Sequence, residues 1–263
     1  MSCHTALKEI RNTFTGTRWF IEGDIKGFFD NIDHHVLIGI LRRKIHDEQL
    51  IHLIWKFLRA GYVEDWVFHK TYSGAPQGGI ISPLLSNIYL NELDQYVEQY
   101  IDNYNKGDKR THNITYHNLA SKIAKRKSNN KRDWSNLTEE QKEKRLKELK
   151  MLYKELQSHD SKDLFDPNYR RLKYVRYADD FILGVIGRKK EAEQIKQDLK
   201  TFLKERLKLE LSDEKTLITH SKKNARFLGY DIRVVRDWHR MKMPNGTKKR
   251  KFNYQTKLFV PHE

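Results

Sequence analysis

Tyr174-Val175-Arg176-Tyr177-Ala178-Asp179-Asp180-Phe181-Ile182-Leu183-Gly184 predicts a strand, a tight turn carrying two adjacent acids, and a second strand. Val, Tyr, Phe, Ile and Leu suit a pleated surface, so the hairpin is expected to be largely apolar and partly buried. Two neighbouring carboxylates held rigidly there repel each other, and burial penalises their charge further. A hard cation that prefers oxygen ligands, such as Mg²⁺, would relieve both effects. Asp-Asp is also ordinary turn chemistry, because Asp bonds its own backbone and tolerates left-handed conformations. Taken alone, the pair is read as turn chemistry.

A second acidic site lies far upstream. Arg18-Trp19-Phe20-Ile21-Glu22-Gly23-Asp24-Ile25 predicts a strand, and Lys26-Gly27-Phe28-Phe29-Asp30-Asn31-Ile32-Asp33 a turn into a helix. Asp33 suits the N-cap of the segment His34 to Ile45, where Val36, Leu37, Ile40 and Leu41 make an apolar stripe. Turn and cap chemistry accounts for Asp30 and Asp33. It does not account for Asp24, which stands at the end of an apolar strand.

The rest of the chain alternates helices and short strands. Residues 1–17 are polar and partly helical. Residues 47–60 predict a helix capped by Asp47, with Gly61 just past its end and Leu50, Ile51, Ile54, Phe57 and Leu58 buried. A hairpin is expected over 62–72. Ser82-Pro83 opens a long helix, with Ser82 as cap and Leu84, Leu85, Ile88, Leu93, Val97 and Tyr100 or Ile101 facing the core. Residues 103–171 break the pattern with many Lys, Arg and Asn, including the basic stretch Lys122 to Arg132. Thr138 and Gln141 have capping-box spacing, opening a helix to about Gln157 with Leu146, Leu149, Tyr153 and Leu156 on one face. A further helix is expected over 189–207, then strands through Leu209 and Leu211, near Thr216 to Thr219, and over Phe227 to Ile232. From Arg236 the chain is basic, with a run of cations from Lys248 to Lys251. Hairpins with helices between them argue for an α+β fold, an antiparallel sheet packed by helices on one face.

The chain has 263 residues, with 51 Lys and Arg against 35 Asp and Glu, a formal charge of +16. Such charge favours a polyanionic partner, nucleic acid or an anionic membrane surface. No apolar run approaches the roughly 20 residues needed to span a bilayer, and no signal-peptide pattern opens the chain. The single Cys3 excludes an intramolecular disulfide and a Cys-rich zinc site. His34 and His35 are neighbours on a helix, so they do not face a common metal. These features predict a soluble intracellular protein.

Three stretches together resemble one family. Phe20-Ile21-Glu22-Gly23-Asp24-Ile25-Lys26-Gly27-Phe28-Phe29-Asp30-Asn31-Ile32-Asp33-His34 is similar to motif A of reverse transcriptases. Ala75-Pro76-Gln77-Gly78-Gly79-Ile80-Ile81-Ser82-Pro83-Leu84-Leu85-Ser86-Asn87 looks like motif B, and Tyr177-Ala178-Asp179-Asp180 like motif C. The wording is closest to the reverse transcriptase/maturases encoded by group II introns, over roughly residues 1–235 with an insertion between motifs B and C. Retron enzymes are a related alternative, as is a non-catalytic RNA-binding maturase fragment.

The resemblance implies the palm of a right-hand polymerase, RNA-directed DNA synthesis and intron RNA binding for splicing and retrohoming. It implies two Mg²⁺ ions, about 3.5–4 Å apart in such sites, held by Asp24, the main chain of Ile25, Asp179 and, more peripherally, Asp180. Ile25, Phe29, Gln77, Gly78 and Lys215 would contact the incoming deoxynucleotide. Phe29 would act as a steric gate against a 2′-hydroxyl; without the resemblance, plain core packing accounts for it. Lys215, in a stretch like motif D, would protonate or bind the leaving pyrophosphate. Phe227, Leu228, Gly229 and Tyr230 look like motif E, the primer grip. Lys122, Lys125, Arg126, Lys127, Lys131 and Arg132 become candidates for RNA contact, against the alternative of a solvated charged face. Implied partners are an intron RNA template, a DNA primer and dNTPs, with no membrane; a homodimer is admitted. The implied location is a bacterial cytoplasm or an organelle. The family's domain plan implies a fingers remnant and palm over 1–102, a basic RNA-binding insertion over 103–171, palm again over 172–235, and a basic connection toward a thumb over 236–263. Most of the fingers and the thumb are expected to fall outside this chain.

Overall fold

The computed structural model describes residues 2–64, 67–69, 74, 80–235, 240–242, 246, 248–250 and 254–261. The chain divides into two compact units, one of Met1–Asn105 with Arg170–Glu263, the other of Lys106–Tyr169.

In the first unit, helix α1 (Cys3–Thr13) leads to strand β1 (Trp19–Gly23), the short helix α2 (Phe28–Asn31), α3 (His34–Arg42) and α4 (Glu48–Arg59). The hairpin β2 (Tyr62–Glu64) and β3 (Val67–His69) precedes the long helix α5 (Ser82–Tyr104). The second unit consists mainly of α6 (Ile114–Asp133) and α7 (Glu139–Ser158), joined through a 3₁₀ turn at Trp134–Asn136. The first unit resumes with β4 (Arg171–Tyr177), β5 (Asp180–Ile186), α8 (Lys189–Leu207), β6 (Leu217–His220), β7 (Ala225–Phe227) and β8 (Tyr230–Val235). It closes with β9 (Arg240–Lys242), β10 (Lys248–Arg250) and β11 (Gln255–Phe259).

The central sheet has the order β4-β5-β1-β6 and is antiparallel throughout. One face packs Ile21, Phe181, Leu183 and Val185 against Leu90 and Leu93 of α5 and Leu199 and Leu203 of α8. This is the helical layer expected from the sequence. The opposite face is covered too: Phe20, Val175 and Ile182 meet Leu7 and Ile10 of α1, and Phe227 and Ile232 of a second sheet ordered β11-β8-β7. Cover on both faces explains why β5 is a continuous apolar run rather than an alternating strand. Gly23 is required where it stands, because a Cβ there would lie 2.1 Å from the ring of Phe181 on the neighbouring strand.

Local chemistry places most helix ends. Asp33 accepts the Val36 N–H at 3.0 Å, Asp47 accepts from Gln49 and Leu50, and Thr138 forms its capping box with Gln141. Ser82 departs from expectation. It is the first helical residue of α5, and the cap position belongs to Ile81, whose φ of −88° and ψ of −17° are already helical. Three apolar residues expected inside are exposed: Leu50 by 42%, Phe57 by 53% and Leu84 by 60%. In α4 the buried set is Ile51, Ile54 and Leu58; in α5 it is Leu85, Tyr89, Leu90, Leu93 and Val97. α4 packs on α3, and α5 on α3, α8 and β4, and in each the buried side is narrower than the apolar stripe. The strand expected through Leu209 and Leu211 reduces to one bridge, Ile25 to Leu211, although both leucines are buried.

In the second unit the basic stretch from Lys122 to Arg132 lies within α6. Neither Leu146, Leu149, Tyr153 nor Leu156 is fully buried, and Leu146 is 53% exposed. Two helices alone offer too little apolar area to enclose a core.

Candidate active site

The β1/β5 register brings the distant acids together. Gly23 pairs with Phe181, so the next step beyond the ladder sets Asp24 opposite Asp180. Asp179 lies in the two-residue turn between Tyr177 and Asp180, which pair as the last rung of β4 and β5. The turn's other residue, Ala178, has φ of 54°, a left-handed conformation that disfavours a side chain.

Asp24 and Asp179 line one cleft of about 500 Å³ together with the main chain around Ile25, the turn Lys26 to Asp30, and the segment Glu210 to Lys215. Asp180 stands beside them. Burial, then the charges of Asp179 and Asp24, push its carboxyl above the usual range, against the opposing pull of Lys215. Ile25 buries its side chain and bridges Leu211. The Ser212 N–H donates to the Asp24 carbonyl and the Lys26 N–H to the Glu210 carbonyl, both at 2.9 Å. Ladder geometry therefore turns the carbonyl of Ile25 away from that segment.

Among the described residues, no group of three or more His, Cys, Asp or Glu side chains is spaced to hold a metal ion by itself. The donor set nonetheless suits Mg²⁺, which commonly takes one or two carboxylates and completes its shell with phosphates and water. A cation already stands at the site: the Lys215 ammonium is 3.5 Å from Asp24 Oδ2. Asp24, Asp179 and Asp180 form an excess of negative charge that a divalent ion would neutralise.

Phe29 lines the cleft and is half-buried, whereas Phe28 is buried in the core. Gly74 packs on the backbone of this turn with φ of 85°, and a Cβ there would lie 2.4 Å from the Phe29 carbonyl oxygen. The Gly74 carbonyl lies 2.6 Å from Nε2 of the buried His34, and its N–H donates to Ile32 at 2.8 Å. Gln77, Gly78 and Gly79 lie outside the described residues. Phe227, Leu228, Gly229 and Tyr230 form the tight turn between β7 and β8, with φ of 50° at Leu228 and 77° at Gly229. In the other unit, Lys122, Lys125, Arg126, Lys127, Lys131 and Arg132 are all exposed. Arg126 is 3.8 Å from Glu148, Arg132 is 2.9 Å from Asp133, and Lys127 lies over the Tyr153 ring.

Sequence reading missed two residues that hold the acidic turn. Arg176 donates to both carboxylate oxygens of Asp94 on α5, at 2.8 and 2.5 Å, and to the Ala178 carbonyl at 2.7 Å. Tyr174 adds a hydrogen bond to Asp94 at 2.8 Å. An acid in the apolar half of α5 and an Arg inside β4 were the available signals, since buried charges need partners.

Comparison with known proteins agrees with this geometry. Residues 2–129 and 139–232 match the family described as reverse transcriptase (RNA-dependent DNA polymerase). The chain is 49% identical over 260 residues to the group II intron-encoded protein LtrA of Lactococcus lactis subsp. cremoris, a match covering 99% of this chain and 42% of that protein. It is 44% identical to the putative COX1/OXI3 intron 1 protein of Saccharomyces cerevisiae, over 89% of this chain and 26% of that protein. It is 32% identical to protein YkfC of Escherichia coli, over 88% and 52%. The chain thus spans about half or less of the length of these relatives. With most of its residues matched and its acids gathered at one end of an antiparallel sheet, the chain belongs to the reverse transcriptase (RNA-dependent DNA polymerase) family.

Proposed function

We propose that this chain carries the polymerase core of an intron-encoded reverse transcriptase of the group II type, copying RNA into DNA. The observation that supports it most is the cleft shared by Asp24 and Asp179, residues 155 positions apart in the chain. Divalent metal, with two Mg²⁺ ions as our specific reading, would be held by Asp24, the Ile25 carbonyl, Asp179 and Asp180; it supplies activation of the primer hydroxyl and neutralisation of the triphosphate.

The chain's own groups do the positioning. The turn Lys26 to Asp30 and the segment Glu210 to Lys215 wall the space for a deoxynucleoside triphosphate. Phe29 lies under its sugar and rejects a 2′-hydroxyl, and the resemblance to motif B gives Gln77 and Gly78 the role of contacting the nucleotide or template. The primer 3′-oxygen bonds to the α-phosphorus, and the bond from that phosphorus to pyrophosphate breaks. Lys215 binds or protonates the departing pyrophosphate. The turn Phe227 to Tyr230 grips the primer. The unit around α6 and α7 contacts intron RNA through Lys122, Lys125 and Lys131, with Arg126, Lys127 and Arg132 beside them. On this reading residues 1–102 are a fingers remnant and palm, 103–171 an RNA-binding insertion, 172–235 palm, and 236–263 a basic connection toward a thumb. A bacterial cytoplasm or an organelle would hold such a protein. No helix among the described residues is long and apolar enough to cross a membrane.

Primer extension on an RNA template, by the full-length protein that carries this chain, tests the reading. Synthesis should require divalent metal and disappear in Asp179→Ala. Synthesis that survives this substitution would remove these acids from the site.

A further inference from the structure

β1 carries another acid two residues before Asp24. Side chains alternate along a strand, so Glu22 projects from the same face of the sheet as Asp24. Its carboxylate reaches two other elements. One oxygen accepts from the Thr219 hydroxyl on β6, the other from the backbone N–H of Arg226 on β7, the latter at 2.7 Å.

The second bond is unusual in what it completes. β7 is the edge strand of its sheet and pairs only with β8. Phe227 and Tyr230 close a two-residue turn, so they form a hydrogen-bonded pair, and the next rung, Arg226 opposite Asp231, is a non-bonded pair. The Arg226 N–H therefore points away from β8 and has no partner within the sheet. Glu22 supplies it, joining the strand that leads into Asp24 to the residue immediately before the Phe227 to Tyr230 turn. Ala225 and Phe227 bury this three-residue edge strand in the core, and Glu22 satisfies the N–H that the sheet leaves open between them.

We propose that Glu22 is a positioning residue that sets the Phe227 to Tyr230 turn, and with it the 3′ end of a primer, at a fixed place relative to Asp24. This rests on the polymerase reading above, in which that turn grips the primer. Neither oxygen of Glu22 needs to touch substrate. The carboxylate works as a brace between two sheets, so its loss should weaken use of the primer and leave nucleotide binding alone.

Three variants of the full-length protein test this: Glu22→Ala, Glu22→Gln and Arg226→Pro. Gln keeps an oxygen for the Arg226 N–H and offers its amide N–H to Thr219, whereas Pro removes the Arg226 N–H without altering β1. Proline is tolerated where an edge-strand N–H faces outward. Amide hydrogen exchange over residues 225–230, measured without nucleic acid, should quicken in Glu22→Ala and match wild type in Glu22→Gln. In primer extension, Glu22→Ala and Arg226→Pro should raise the KM for primer–template about tenfold, with the KM for dNTP within about twofold of wild type. Glu22→Gln should restore both readouts. If Glu22→Ala does not fold, Arg226→Pro carries the comparison. Unchanged exchange, or equal rises in both KM values, would overturn the proposal. A wild-type protein unable to extend any primer would overturn the polymerase reading and the primer role with it, while exchange still decides whether Glu22 braces the turn.

Discussion

Arg176 forks onto Asp94, at 2.8 and 2.5 Å, and with the same guanidinium holds the Ala178 carbonyl at 2.7 Å. One side chain thus ties the acidic turn to the long helix α5. The turn needs such a tie, because Ala178 is held at φ of 54°, which costs about 1–2 kcal/mol for a residue with a Cβ. Arg176 is only 11% exposed. Asp94→Ala would strand it, together with the Tyr174 hydroxyl, at a cost of about 3 kcal/mol. Arg176→Lys should lose much of the same stability, since an ammonium cannot reproduce the planar fork. Urea denaturation of both variants and the double mutant measures this; independent, additive losses would show that the fork is not a unit.

Lys215 and Asp24 form the opposite kind of pair. The ammonium is 72% exposed and 3.5 Å from the carboxylate, so the pair adds less than about 1 kcal/mol to stability. Lys215→Ala should melt close to wild type. Single-turnover nucleotide addition should nonetheless slow about 100-fold, the scale of a lost proton donor, with nucleotide affinity little changed. A normal rate with weakened nucleotide binding would instead assign Lys215 to phosphate binding.

Asp33 gives a pH dependence whose sign is determined. Burial alone would raise its carboxyl, but the Lys208 ammonium at 2.7 Å and the Val36 N–H outweigh it and hold the group below the usual carboxylate range. The folded state therefore releases this proton more readily than the unfolded chain. The stabilisation is present above the unfolded value, about 3.9, and is lost as pH falls through the folded value. Asp33→Asn keeps the cap and removes the charge. It should be less stable than wild type by about 0.5–1 kcal/mol at pH 7, with the gap closing in strong acid. Thermal melts across pH check this, and a gap that widens on acidification would contradict it.

The helical unit should reveal its partner through salt. Lys122, Lys125 and Lys131 are exposed along α6. Replacing all three with Gln should flatten the slope of log affinity for intron RNA against log salt by about 2, near 0.7 for each phosphate no longer neutralised. Fluorescence anisotropy from 50 to 500 mM salt, a range spanning roughly a Debye length of 14 to 4 Å, would detect the change. An unaltered slope would place the RNA elsewhere.

Features governed by near neighbours were legible from the residues. Asp33, Asp47 and Thr138 cap helices because the N–H groups they satisfy lie two or three positions away. The hairpin over Tyr174 to Gly184 and the strand ending at Asp24 were readable because their apolar residues suit strands and turn chemistry bounds them. Features governed by partners were not. Leu50, Phe57 and Leu84 look as apolar as their buried neighbours, and only the packing surface decides which side of a helix it covers. The cap of α5 failed for a related reason: Ile81 is drawn into the helix, and Ser82 becomes buried behind it.

The amino-acid sequence by itself determined which residues could form the acidic site, because unshielded carboxylates at strand ends are costly wherever the chain folds. Tertiary structure alone decided what holds that site in shape. Arg176 reaches Asp94 across 82 residues and Glu22 reaches Arg226 across 204. The local sequence can mark Arg176 and Asp94 as charges among apolar residues, but it does not name the partner of any of these side chains. Their partners exist only after the sheet has paired, when a buried guanidinium and an edge-strand N–H must each find an acceptor.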